Sequence, residues 1–177
     1  AVQPRRATAY VFVTGDDARL DEKARGEVVV IDLAKLGVKH TKPFPERFND
    51  GGGVVQLFAG DEWQPLSRWP NEHNTVMTKV LDRGDDPGAP GKRPGTFVFS
   101  EDRPLRWKAA AEAGQLWLAG FWRVAWDWQQ VRVKTLDLEK KSIALAAPIP
   151  GGIGSKYAGP EGAGTEPWRA INLVEEI

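Results

Sequence analysis

Val131-Arg132-Val133-Lys134-Thr135-Leu136-Asp137, followed after Leu138-Glu139-Lys140-Lys141 by Ser142-Ile143-Ala144-Leu145-Ala146-Ala147, is the stretch that decides the fold. Val131, Val133 and Thr135 alternate with Arg132 and Lys134, and Ile143, Leu145 and Ala147 answer as a second apolar row. A period of two belongs to a pleated strand with one buried face. The polar residues from Asp137 to Ser142 therefore predict the turn of an antiparallel hairpin.

Outward from this hairpin the same signal recurs in short runs. Strands are expected near 10–13, 28–31, 54–58, 63–69, 76–81, 96–99, 116–122, 131–136, 143–147 and 169–174. Gly60-Asp61 suits a two-residue hairpin turn with glycine first, where φ must be positive. One helix is expected near 103–113, with Ser100 or Asp102 as cap, Pro104 in the first turn, Ala109-Ala110-Ala111 inside and Gly114 as stop. Asp32 to Gly37 reads as a single capped turn, whereas 39–53, 82–95 and 148–167 read as loops. In Arg68-Trp69-Pro70-Asn71, proline should end the strand, Trp69 should be largely buried and Asn71 should bond local backbone. About ten short strands and one short helix, with no internal repeat, predict an all-β antiparallel barrel or sandwich in a single domain over residues 1–177, the first 20 linker-like.

Composition narrows the function classes. The 177 residues, 41% hydrophobic, can bury a core without disulfides. Lys plus Arg equal Asp plus Glu at 24 each, so the basic excess of a nucleic-acid binder is missing and no such partner is expected. With no cysteine there is no thiol catalysis and no Cys-ligated metal. No apolar run approaches the roughly 20 residues of a membrane span, and no signal-peptide core opens the chain, which reads as mature or excised.

Catalytic constellations are weak. His40 and His73 sit beside loop punctuation without clustered ligands, and neither a metal nor any other cofactor is expected. Gly51-Gly52-Gly53 precedes a strand, not the helix that a phosphate loop requires. Ser67, Ser100, Ser142 and Ser155 lack the glycines of a nucleophile elbow. An acidic pair for glycoside hydrolysis remains, with Asp127 and either Glu101 or Glu112 as the candidates. A local role for Asp127, bonding a backbone amide or Arg123, is the simpler reading.

The aromatic cluster is the most informative feature. Trp117, Phe121, Trp122, Trp126 and Trp128 fall within twelve residues, in a chain with 8 Trp. An indole offers a flat apolar face to the C–H face of a sugar, and Asp127, Arg123 and Gln129 could bond its hydroxyls. The same rings would also serve as core filling. Trp122, Trp126 and Trp128 share parity and would face one way in an extended strand. These six residues, Trp122, Trp126, Trp128, Asp127, Arg123 and Gln129, are the candidate carbohydrate site.

Five runs together resemble one family. They are 25–38; 56–61 with Leu66-Ser67-Arg68-Trp69-Pro70-Asn71-Glu72; Asp102-Arg103-Pro104-Leu105-Arg106-Trp107; 116–122 with Trp126-Asp127-Trp128; and 168–177. In order and spacing they resemble the β-rich, barrel-like domain inserted in bacterial right-handed parallel β-helix proteins of the carbohydrate-active kind, over about residues 20–177. The first 20 residues and Gly60-Asp61, where that family has Asn-Gly, depart from the pattern. The resemblance implies an exported parent, a glycoside hydrolase or polysaccharide lyase, whose catalytic residues lie on the β-helix. None carries over to this chain. The expected function is a non-catalytic accessory domain with a polysaccharide or oligosaccharide and the rest of the parent β-helix protein as partners. The alternatives are a structural or protein-interaction domain, and an autonomous hydrolase using the acidic pair.

Overall fold

The computed structural model of the protein describes residues 17–25, 27–28, 35–37, 56–85, 93–157 and 166–177. Among them are strands β1 (Leu57–Ala59), β2 (Glu62–Gln64), β3 (Arg68–Trp69), β4 (Thr75–Val76), β5 (Lys79–Asp82), β6 (Thr96–Val98), β7 (Trp117–Phe121), β8 (Trp128–Asp137), β9 (Ser142–Leu145) and β10 (Pro167–Ile171). A 3-10 turn over Arg103–Trp107 runs into a short helix, α1 (Lys108–Glu112), the one α-helix among the described residues. Every strand pairing is antiparallel, so the expected fold class holds.

The large sheet runs β10-β7-β8-β9-β6-β5, and 75–82 joins its ends. β4 pairs with the start of β10, Thr75 opposite Trp168, while β5 pairs with β6. Between them the Thr78 N–H donates to the Val98 carbonyl at 2.9 Å. One bent strand thus bonds to both edges and closes a six-position barrel, leaving β3 outside on the second half of β10. The bend is why the expected 76–81 strand appears as two pieces. Met77, buried in the bend, points into the core.

The barrel is filled by alternate residues. Leu118, Val131, Val133, Ile143, Leu145, Trp168 and Ala170 form the core with Phe97, Trp107 and Trp122. Phe97 meets the Trp168 ring at 5.3 Å, edge to face, and Trp122 at 6.0 Å. Gly120 faces Trp168 across the β7–β10 pair, and a Cβ there would lie 2.7 Å from the Trp168 Cβ and 2.8 Å from the Pro167 carbonyl oxygen. Only glycine lets the two strands carry that indole inside.

Local differences from expectation have local causes. Pro65 has no N–H for a ladder, so the expected strand 63–69 divides into β2 and β3. Gly60, at φ +63°, turns the β1–β2 hairpin as expected. A bulge between Val133 and Thr135 leaves Thr135 exposed and turns Leu136 toward the core, breaking the Val131-Val133-Thr135 alternation. Asn172, at φ +56°, ends β10 at Ile171, short of the expected 174. Asp102 stands at the helix entrance but forms no cap: its backbone, at φ −88° and ψ −19°, is already helical rather than extended, and its carboxylate accepts from Lys141 Nζ at 2.6 Å. Trp69 ends β3 and is mostly buried, as expected, packing on Trp107 at 5.5 Å; Asn71, by contrast, is exposed and makes no side-chain hydrogen bond among the described residues. The expected strand at 10–13 lies outside the described residues, as does all of 28–31 except Val28, which is in no strand.

Candidate functional site

The segment between β7 and β8 is a sequence of bends, not an extended strand, so shared parity does not give a shared direction. Trp122 turns inward, has no exposed surface, and donates from Nε1 to the Gln129 carbonyl at 3.1 Å. Arg123 turns to the neighbouring loop, where Nη1 donates to the carbonyls of Gly154 at 2.9 Å and Ser155 at 3.0 Å. Its own carbonyl accepts from the Lys156 N–H at 3.0 Å. Asp127 N–H closes a turn onto the Val124 carbonyl at 3.4 Å.

Pinned at its base in this way, the loop presents Trp126 at 69% exposure beside an exposed Asp127. Gln129 is buried, and its Nε2 donates to Asp127 Oδ2 at 2.5 Å, orienting the carboxylate. The neighbouring loop presents Tyr157 at 72% exposure, two residues from the carbonyl that Arg123 holds. Of the six expected site residues, Trp126 and Asp127 therefore stand outward together. Gln129 and Arg123 support them from below, and Trp122 belongs to the core. Tyr157 lay hidden in a glycine- and proline-rich loop with no periodic signal to mark it.

Trp128 opens β8 on the outer face of the barrel. There Trp117, Ala119 and Phe121 of β7 lie beside Trp128, Gln130 and Arg132 of β8, with Arg169 and Ile171 of β10 on the other side. Ala119 and Ile171, with Leu66, Trp117 and Trp128, make a small apolar cluster separate from the core. The Arg169 guanidinium lies 4.8 Å from the Trp128 ring centroid, and Arg132 lies 5.8 Å from that of Trp117. Phe121 meets Trp128 edge-on at 4.9 Å. Burial, with Arg68 nearby, lowers the Arg169 pKa below the usual arginine value. Arginine still remains a cation at any physiological pH.

Each of the three candidate acidic residues has a partner of its own. Glu101 accepts from Thr75 Oγ1 and from the Ser100 N–H, Glu112 pairs with Lys108 on the helix surface, and Asp127 is held by Gln129. Hydrolysis of a glycoside needs two carboxyls flanking one bond; here each carboxyl is engaged by its own local partner. The buried carboxyls are elsewhere. Glu176 accepts from Arg103 Nε at 3.0 Å and Trp107 Nε1 at 2.6 Å, tying the C-terminal turn to the helix entrance. Glu175 has both oxygens buried without a partner, and burial raises its pKa. His73 is exposed, His40 lies outside the described residues, and among those described no three His, Asp or Glu side chains group as metal ligands. No described helix is long and apolar enough to cross a membrane. No family model, curated protein or solved structure matches the chain.

Proposed function

We propose that this chain is a non-catalytic accessory domain that binds polysaccharide through the loop between β7 and β8, as part of a larger exported, carbohydrate-active β-helix protein. The observation that carries the reading is Trp126, 69% exposed on a loop tied down at its base by the burial of Trp122 and the hydrogen bonds of Arg123. A ring displayed on a mobile tail would lose more freedom on binding; a pinned one is preorganised. A pyranose would lay its C–H face on Trp126 and direct hydroxyls at Asp127, whose orientation Gln129 sets. Exposed Tyr157, on the loop that Arg123 anchors, offers a second ring. The parent and its export rest on the five-run resemblance.

Titration of soluble polysaccharides against intrinsic Trp fluorescence tests the reading. The expected result is a saturable change that Trp126→Ala abolishes while the variant unfolds at the same temperature as the parent. A panel of neutral and acidic polysaccharides that leaves the fluorescence unmoved would sink it. The sequence of the full-length gene tests the parent: β-helix coils should flank this segment.

One observation favours a second reading, a protein-interaction domain. Phe58 and Trp63 stand directly opposite each other on the β1–β2 hairpin, 47% and 59% exposed. An apolar pair displayed on a hairpin suits contact with another protein surface.

A further inference from the structure

Resting on the glycan-binding reading above, we infer that the ligand is a carboxylated polysaccharide, a polyuronate, and that Arg68, Arg169 and Arg132 hold its carboxylates across the outer face of β3, β10, β7 and β8. The registers place Arg68, Ile171, Trp117 and Arg132 in one lateral row, each opposite the next. Arg169 lies two residues from Ile171 on the same face, with Ala119 and then Gln130 in its own row.

Among the described residues none of these three arginines forms an ion pair, although the same protein pairs Arg19, Arg93, Arg103 and Arg106 with carboxylates. Arg68 stands opposite Ile171, so Arg169, two residues away on the same face, is its diagonal neighbour, and the two like charges oppose each other. Arg169 Nε and Gln130 Oε1 are both shielded from water without a hydrogen-bond partner. A fold has no packing reason to gather like charges and orphaned polar atoms on one face. An anion resolves the repulsion.

The geometry also favours the class of anion. Indole faces hold two of the guanidiniums, which leaves the planar forks of N–H donors at their edges. Such forks match a carboxylate with two parallel bonds. Arg68 and Arg132 are three strand spacings apart, about 14 Å at the usual interstrand distance, so one small anion cannot reach both and a chain of repeated carboxylates can. Nucleic acid fits less well. Its bases need open aromatic faces, and arginines occupy a face of Trp117 and of Trp128. The chain also carries no basic excess.

The test is a titration of the whole chain with polygalacturonate and with the same polymer fully methyl-esterified, followed by calorimetry and Trp fluorescence. The acid form should bind and the ester should bind at least about tenfold more weakly, the worth of one or two charge-assisted hydrogen bonds. Arg68→Gln/Arg169→Gln should weaken the acid form by about tenfold and leave the ester unchanged, and salt of about 0.5 M should have the same effect. Arg169→Lys keeps the charge but not the fork and should fall between. Arg132→Gln, at an exposed position, gives a variant in which folding is not at issue and should cost a smaller factor. Equal affinity for acid and ester, unmoved by these substitutions, overturns the inference and leaves the glycan reading standing. Binding of neither polymer overturns this inference; the glycan reading falls only if the wider panel also fails. Tighter binding of a single-stranded oligonucleotide, lost in the same variants, overturns it in favour of nucleic acid.

Discussion

The inner and outer faces of β7, β8 and β10 are made by alternate residues of the same strands, and they have opposite characters. Inward point Leu118, Val131, Val133, Trp168 and Ala170, all under 4% exposed and all without charge. Outward stand Trp117, Trp128, Arg132 and Arg169, where guanidinium groups lie on indoles. The inner face is explained by dense packing alone. The outer face has rings enough for a small apolar cluster but covers them with cations that form no ion pair among the described residues, which packing does not require. An indole is therefore structural or displayed according to the face it occupies, and this protein has both kinds a few residues apart: Trp122 is sealed in the core and Trp126 stands in solvent.

The largest expected effect belongs to the inner face. Trp168→Ala should lower unfolding free energy by about 3–5 kcal/mol in urea denaturation, since the ring is fully buried between β7 and β4 and against Phe97. The comparison can be sharpened within the core. The Trp168 indole N–H is buried without a partner, whereas that of Trp122 is bonded to Gln129. Phenylalanine should thus be tolerated better at 168 than at 122, because an unmade buried hydrogen bond costs about 1–3 kcal/mol. Equal losses at the two positions would break that distinction.

Next comes Gly120→Ala. The added methyl meets backbone of β10 at under 3 Å, with no flexible side chain to yield. About 1–3 kcal/mol of destabilisation is expected, typical of overpacking, and a denaturation midpoint equal to the parent's would show that the strands part freely here.

Glu175→Gln should act in the opposite direction and depend on pH. Burial raises the Glu175 pKa; Arg19 opposes the rise, while Glu176 and Asp17 add to it. Arg19 gives its hydrogen bonds to Asp17, from Nε at 3.0 Å and Nη2 at 2.7 Å, and none to the Glu175 oxygens. With its folded pKa above the unfolded value near 4.5, the native state binds the proton more tightly, so stability falls as pH rises through that window. The glutamine variant should be more stable than the parent at pH 7 and no better near pH 4. Thermal melts across this range would read the crossover; a difference independent of pH would place the effect elsewhere.

The smallest stability effect is expected at Trp126→Ala, within about 0.5 kcal/mol. The ring is 69% exposed and makes no ring contact among the described residues. A loss comparable to that at Trp168 would place Trp126 in the fold and take away the platform.

How much was legible in the sequence varies with how local the cause is. The 131–147 hairpin was readable because alternation is a property of the strand itself, yet the bulge at Val133 that exposes Thr135 was not. The same holds for the helix. Pro104 and Gly114 mark its ends directly, while the Lys141 that meets the Asp102 carboxylate comes from the distant turn between β8 and β9. Pro65 was visible and its consequence follows from chemistry alone, a missing donor that parts β2 from β3. In the site, Asp127 beside Trp126 was legible as a pairing of types. The inward turn of Trp122 was not, because the bends at 122–127 cancel the parity on which a common direction rested.

From its sequence this chain is already bound to be a Cys-free, neutral, β-rich domain with one short helix, since composition, period-two alternation and turn residues act over a few positions. Tertiary structure alone decided that 75–82 closes the barrel, that Trp168 sits opposite a glycine that makes room for it, and that Arg68, Arg132 and Arg169 share one face. Each of these depends on register between strands far apart in the chain, and a shift of one residue would send every side chain of a strand to the other face.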